Sequence, residues 1–439
     1  MTEQKEPINS QTAQSSAQTS VQDDVAVRYD MHPQQSGIRE TLRRLFGGDR
    51  VLWVIIIALM VISLLVVYSS TAKMAYMPNS DSSTTAFLRK QLMLLAGCIG
   101  VIFITHRINS RVYRFWAKPF FWLAILLTLA AHFVGVKTND AARWISIFGF
   151  QFQPSEMLKV GVMMYLARVL ADKQSVIRTL RIVPSLAFWR WGEPKQRRIL
   201  KEGALPIFFP IVLSCAVIIP AHTSSALLVG GLSLVMLYIG RVRWVEIFRM
   251  VGWAVVGFVL MMMLGLGRST TAEGRFSTWW TLWTEDRTEV LAKDLTDTER
   301  SMIAIHNGGI MGRGAGQSAV RVEMTHPESD YAFAFFVEEY GFVLSMILVA
   351  LYVWTFFRAI DIFERCPKKF PSLLALGMAL MITSQALLHI MVTVNIMPET
   401  GQTLPLISRG GSSLLFTAMG LGMVLSVSRQ TEEGSHTTE

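Results

Sequence analysis

The sequence predicts an all-α, polytopic integral membrane protein: a bundle of about ten transmembrane helices with a long extracytoplasmic loop between spans 7 and 8. Three observations lead there. The 439 residues are 51% hydrophobic and only 17% charged, with a mean hydropathy of +0.39, too apolar for a water-soluble domain. The apolar residues gather in runs such as VLWVIIIALMVISLLVVYSS (51–70), FFWLAILLTLAAHFVGV (120–136) and MVGWAVVGFVLMMMLGLG (250–267). Each is near the roughly 20 residues that cross a bilayer as a helix. The basic residues, finally, collect in alternate connections.

Residues 1–48 read as a cytoplasmic tail, since the first 45 are polar, rich in Gln, Ser and Thr, and lack the apolar core of a secretory signal. Disorder is expected there. Residues 49–429 form one membrane domain, and 430–439 a second cytoplasmic tail. Spans are expected at 51–69, 91–106, 119–136, 155–171, 204–220, 223–240, 249–267, 331–357, 371–397 and 404–428. Arg43, Arg44 and Arg50 precede the first; Arg107, Arg111, Arg114 and Lys118 follow the second; Lys195, Arg197, Arg198 and Lys201 follow the fourth. Arg241, Arg243 and Arg249 follow the sixth, and Arg358, Arg365, Lys368 and Lys369 the eighth. By the positive-inside rule these loops and both termini are cytoplasmic.

The net charge of +9 is therefore a topology signal and does not call for nucleic acid as a partner. Cys98, Cys215 and Cys366 are isolated, with no metal spacing and no disulfide framework. Residues 268–330 form the long outer loop, whose Trp279, Trp280 and Trp283 suit a lipid interface.

Carboxylates at the edge of apolar segments mark where chemistry sits. Asp330 follows HPES at the outer end of span 8, where it is a candidate general base; the alternative is that Ser329 or Asp330 caps the helix. Glu338 and Glu339 lie about 12 Å deeper at the helical rise, candidates for function or for pairing with a cation. Glu156 and Lys159, three apart on span 4, share a helix face and can neutralise each other. Arg143 and Arg275 offer guanidinium groups for phosphate oxygens. HNGGIMGRGAGQ (306–317) reads as a tight re-entrant turn or an anion-binding loop, without the flanks or the Lys of a nucleotide site. In SRGGSS (408–413), Ser408, Gly410 and Gly411 allow close helix packing or a backbone break beside a cavity. His326, Glu328 and Asp330 are three metal-competent groups on one short loop, a pattern more often a solvated turn.

Four of these stretches, RWISIFGFQFQPSEMLK, GGIMGRGAGQS, HPESDYAFAFFVEEYG and PETGQTLPLISRGGSS, stand in the order of the SEDS family (shape, elongation, division and sporulation), which the chain resembles from about residue 50 to 428. Its TLP, together with the long polar N-terminal tail, is more similar to the division-specific FtsW branch than to RodA. The resemblance implies an integral peptidoglycan glycosyltransferase of the bacterial cytoplasmic (inner) membrane that polymerises lipid II, with Asp330 as the catalytic aspartate. It implies structural or tuning roles for Glu156, Lys159, Glu338 and Glu339.

Two departures stand out. The family's Pro-Asp-x-Gly-Thr segment reads PAHTSS (220–225) here, with Ala221 at the Asp, and only Arg143 remains of a doubly basic stretch. The reaction so implied inverts the anomeric carbon, with Asp330 taking the acceptor hydroxyl proton and Arg143 and Arg275 meeting the pyrophosphate; no cofactor is assigned, and a divalent cation, Mg2+ or Mn2+, is left open. Implied partners are lipid II, a class B penicillin-binding protein (a transpeptidase) and other division proteins. Two other readings stay open, a lipid II transporter (flippase) and a non-catalytic division scaffold.

Overall fold

The computed structural model describes residues 46–76, 84–138, 141–147, 150–177, 181–184, 193–263, 269–284, 295–320, 324 and 329–436. The predicted disorder of the N-terminal tail falls on residues 1–45, outside the described residues.

Each expected apolar segment carries a helix: α1 (Arg50–Tyr76), α2 (Thr84–Arg107), α3 (Ser110–Val134), α4 (Pro154–Asp172), α5 (Pro194–Ile218), α6 (Thr223–Ile239) and α7 (Trp244–Met263). Then come α8 (Ser269–Thr284), α9 (Asp297–Gly308), α10 (Ala332–Arg365), α11 (Lys369–Thr393) and α12 (Gly411–His436). In lipid a backbone must satisfy its own polar groups, and the helix does this segment by segment. Among the described residues, seven helices are long and apolar enough to cross a bilayer by themselves: α1, α2, α3, α5, α10, α11 and α12. The protein is an all-α, multi-pass membrane protein in class.

Local chemistry sets several helix ends. Asp49 Oδ1 accepts the Val51 and Leu52 amides at 2.8 and 3.2 Å and starts α1. Asn109 caps α3, and Pro154 opens α4 at a position where no amide is needed. Thr296 and Glu299 close a reciprocal capping box on α9. Within α5 the turns of Leu200–Phe208 widen to π geometry around Pro206.

Four details differ from the expectation. A small three-stranded antiparallel sheet, β1 (Val136–Thr138), β2 (Ala141–Ile147) and β3 (Phe150–Phe152), joins α3 to α4. Its pairing runs from Lys137–Ala142 to Val136–Trp144, so Arg143 sits at a bulge. The outer loop contains two helices, α8 and α9, because its polar residues still carry helix periodicity and caps. The last helix begins at Gly411, not near 404, since residues 394–410 form an irregular loop in which Asn395, Gly401 and Leu406 take positive φ; it continues to His436.

The helices form one bundle in which α4 and α11 are central. α4 is buried from Pro154 to Ala167 and packs on α3, α6 and α11; α11 packs on α10 and α12 as well. α2 lies along α12, and α1 against α2 and α10. Large apolar side chains such as Phe115, Phe133, Val134, Phe342, Trp354 and Phe357 face outward, as lipid-facing surfaces require. One end of the bundle gathers Asp49, Arg114, Asp172, Arg358 and Asp361: Arg358 Nε meets Asp49 Oδ2 at 2.8 Å, and the Asp49 amide donates to Ser428 Oγ at 3.0 Å. The opposite end holds the start of α10, the end of α11 and the 394–410 loop.

Candidate functional site

Around residues 400–402 the loop before α12 is the hub of this second end. Lys159, almost wholly buried on α4, meets Glu156 Oε1 at 2.8 Å, Gln385 Oε1 at 2.7 Å and Gln402 Oε1 at 3.4 Å. Gln402 donates from Nε2 to Ser225 Oγ at 2.7 Å, and its carbonyl lies 2.7 Å from His389 Nδ1. Gln385 Nε2 donates to Thr403 O at 3.0 Å. A buried charge of either sign is costly unless its lone pairs and protons are met, and here they are. The loop is thereby tied to α4, α6 and α11 at once.

Asp330 stands beside that hub, half-buried. Ser329 Oγ donates to Asp330 Oδ1 at 2.9 Å, while Ser408 Oγ donates to Ser329 O at 2.7 Å and accepts the Leu404 amide at 2.8 Å. The capping alternative is not what the structure shows: Tyr331 occupies the N-cap of α10 and no side chain caps it. Asp330 Oδ2 instead faces Gly401, 4.0 Å from the point where a Cβ would stand; His222 Nε2 is 3.8 Å from the same point.

His222 leads into a cavity of about 780 Å³ between α6, α8 and α11, closed at one side by Pro398–Thr400. Its wall is mostly apolar, with Glu273, Arg275 and Glu399 as the charged exceptions. A second cavity of about 440 Å³ lies on the far side of Arg275 and Glu399, which line both. Arg275 Nη1 reaches Glu399 O at 3.4 Å. The Glu399 carboxylate accepts from Thr298 Oγ1 at 2.8 Å and from Tyr331 Oη at 2.5 Å. Trp279 and Trp283 both donate their indole N–H to Asn395 O at 3.1 Å, holding α8 over the loop.

Glu338 and Glu339 do not line either cavity. They clamp the glycine-rich segment into a break in α10 at Gly341 (φ 80°, ψ 175°). Glu338 accepts the Ala319 amide at 3.0 Å and the Ser318 hydroxyl, with Arg313 at 3.9 Å; Glu339 accepts the Gly316 amide at 3.0 Å and the Ser69 hydroxyl. The freed carbonyls of the break receive Arg313 N and Gly314 N, both at 2.9 Å. The anion-loop reading of this segment thus has its amides spent on α10, and the tight-turn reading holds.

Gly410 packs against Thr403 and Ser413, and Gly411 opens α12. Arg143 is described in its main chain only, and His326 and Glu328 lie outside the described residues. Among the described residues no three His, Cys, Asp or Glu side chains stand together as a cation site.

Sequence reasoning missed His222, Gln385, His389, Glu399 and Gln402. The available signal was polar residues in the turn before span 6, inside apolar span 9 and in the PETGQ turn.

A multi-pass helical membrane protein with an acid, an arginine and a large apolar cavity at one end is the class this geometry defines. The family model described as cell cycle protein, covering FtsW, RodA and SpoVE, matches residues 49–433, and the chain belongs to that family, the SEDS proteins. It is 29% identical to stage V sporulation protein E of Bacillus subtilis (87% of this chain, 97% of that one). It is 26% identical to the probable peptidoglycan glycosyltransferase FtsW of Trichlorobacter lovleyi (88% and 94%) and 27% identical to that of Neisseria gonorrhoeae (86% and 83%). Among solved structures it resembles rod shape determining protein RodA of Thermus thermophilus, with a TM-score of 0.57, 21% identity and coverage of 87% and 97%. A chain from a peptidoglycan synthase complex that coordinates polymerization and crosslinking gives 0.61, 22%, 87% and 98%. At these identities the structures establish the fold.

Proposed function

We propose that this chain is a peptidoglycan glycosyltransferase that polymerises lipid II on the outer face of the bacterial cytoplasmic (inner) membrane in cell division, with both termini cytoplasmic. The observation that carries the reading is the Asp330 carboxylate beside Gly401, which it shares as a neighbour with His222, a residue that together with Arg275 lines an apolar cavity. A lipid-linked substrate needs that pairing of a greasy wall with a few fixed polar groups. The names of the relatives, most of them FtsW, support both the activity and the division role.

In the reaction the acceptor's GlcNAc 4-hydroxyl attacks the anomeric carbon of a MurNAc carried on undecaprenyl pyrophosphate. The new C–O bond forms as the bond to the pyrophosphate breaks, the leaving group takes the electron pair, and Asp330 takes the hydroxyl proton. Pyrophosphate leaves as a weak base, so it requires positive charge and no proton donor. Arg275 on the cavity wall and Arg143 at the β2 bulge are assigned to it. Glu156, Lys159 and Ser408 brace the 394–410 loop, Gly410 and Gly411 lead it into α12, and Glu338 and Glu339 have the structural role of holding the glycine-rich segment on α10. No step is routed through a cation. Chelation followed by addition of Mg2+ or Mn2+ tests whether one assists.

The partner is a class B penicillin-binding protein transpeptidase, as the resemblance to a peptidoglycan synthase complex supports. The deciding experiment supplies the purified chain and this partner with lipid II in detergent. Glycan strands form with the wild type and not with Asp330→Asn, which keeps its melting temperature and partner binding. Movement of labelled lipid II between leaflets without polymer supports the transporter instead, and silence of Asp330→Asn in both assays leaves a scaffold.

A further inference from the structure

The cavity of about 440 Å³ between α8, the start of α9 and the 394–410 loop takes no part in the proposed glycosyl transfer, yet its lining is rich in acceptors. Glu399 Oε1 already accepts from Thr298 and Tyr331, at 2.8 and 2.5 Å. Among the described residues its Oε2 has neither a hydrogen-bond nor an ion-pair partner. Arg275 does not supply one, because its Nη1 donates to the Glu399 main-chain oxygen at 3.4 Å. Asn395 lines the same cavity, 5% exposed, and its Oδ1 is buried with no donor against it. A buried acceptor left unmet is costly, so a cavity that holds one beside a half-met carboxylate suits a ligand that donates.

The rest of the wall narrows that donor to a cation. Asp297 adds a second carboxylate, in contact with Arg300 at 3.3 Å. Trp279 contributes an indole whose N–H is spent on Asn395 O. A primary ammonium has three protons and no acceptor, and aromatic faces attract it. The volume lies within the range of about 300–1,000 Å³ usual for small-ligand sites.

Lipid II carries such a group. A transpeptidase cross-links peptides by making an amide, and the nitrogen of that amide is a free amine on one of the two peptides. The peptide and the pyrophosphate both hang from the MurNAc ring, so the peptide begins one sugar's width from the pyrophosphate. Arg275, assigned to the pyrophosphate, lines both cavities, which puts the smaller one within the peptide's reach. We infer that the 440 Å³ cavity binds the peptide of the donor lipid II by its free primary amine, the ammonium lying among Glu399, Asn395 and Trp279. The inference rests on lipid II being the substrate. Glu399 selects among peptides and touches no reacting atom.

The test measures binding of lipid II, and of lipid II acetylated on its peptide amine, to the full chain with its transpeptidase partner. The pair is held in nanodiscs of phosphatidylglycerol, which has no amine, and carries Asp330→Asn so that nothing turns over. Glutamine at 399 keeps an acceptor for Thr298 and Tyr331, so Glu399→Gln retains the melting temperature. With Glu399 in place, native lipid II binds about tenfold more tightly than the acetylated form, the scale of one hydrogen bond to a charged group; with Glu399→Gln the two bind alike. Equal affinities with Glu399 in place overturn the inference, and this comparison decides by itself if Glu399→Gln melts lower. A preference that survives in a stably folded Glu399→Gln protein overturns it too. An aminophospholipid headgroup has the same chemistry: competition by added phosphatidylethanolamine, with no effect of acetylation, assigns the cavity to the headgroup and overturns the peptide. A wild type that shows the amine preference yet forms no polymer removes the glycosyltransferase reading and leaves the peptide site standing.

Discussion

Lys159 shows how much rests on a single buried side chain. With Glu156, Gln385 and Gln402 around it, the ammonium finds a partner for each of its three protons. Lys159→Met leaves Glu156 as an unpaired buried charge, and stability should fall by about 3–5 kcal/mol. Thermal unfolding in detergent checks this, and the double variant Glu156→Gln/Lys159→Met should recover much of the loss. A silent Lys159→Met would mean the pair does not hold α4 to the loop. Asp330→Asn should behave in the opposite way: its carboxylate accepts one hydroxyl from its neighbour and caps nothing, so activity goes while the fold stays.

The glycine-rich segment and the broken α10 form one interlocked element. A Cβ on Gly312 would lie 2.3 Å from Glu339 O, and one on Gly341 would lie 2.4 Å from Gly312 N, with a φ of +80° adding strain. Both contacts are to backbone, so neither relaxes by a rotamer change. Gly312→Ala and Gly341→Ala should each lower the melting temperature and the yield of folded protein, whereas Gly316→Ala meets nothing within 4 Å and is limited to the cost of its positive φ. Glu338→Ala removes the acceptor for the Ala319 amide and the Ser318 hydroxyl, and limited proteolysis should then cut near residues 313–320 faster than in the wild type. Equal cleavage rates would show that the carboxylate does not anchor the segment.

Across the whole molecule, the two ends of the bundle divide the labour. One collects the basic connections and the Asp49–Arg358 contact, the other the hub, the cavities and Asp330. The positive-inside rule turns this into an orientation. In a variant without the native cysteines, a single cysteine at Glu433 should react with an impermeant maleimide only after the membrane is opened, while one at Gly274 should react in intact spheroplasts. Reversal of that pattern would place Asp330 on the side of the membrane opposite to the one proposed.

Much of this could be read along the chain. Apolar runs near the length of a bilayer crossing, and arginines in alternate connections, are local properties, so the helices and their class follow from composition and spacing. Asp330, Glu156 and Lys159 were legible because a charge in an apolar setting stands out and because three residues apart on a helix is one face. Glu338 and Glu339 were visible as acids but not as clamps, since their partners, Ser69, Gly316 and Ser318, come from loops and a helix distant in sequence. The approach of His222 and Asp330 to Gly401 had no linear signature at all. It exists because residues 222, 330 and 401, each at the end of a different helix or loop, converge where α4, α6, α10 and α11 pack. Periodicity and charge are written one residue at a time; a cavity is made by what many segments leave empty.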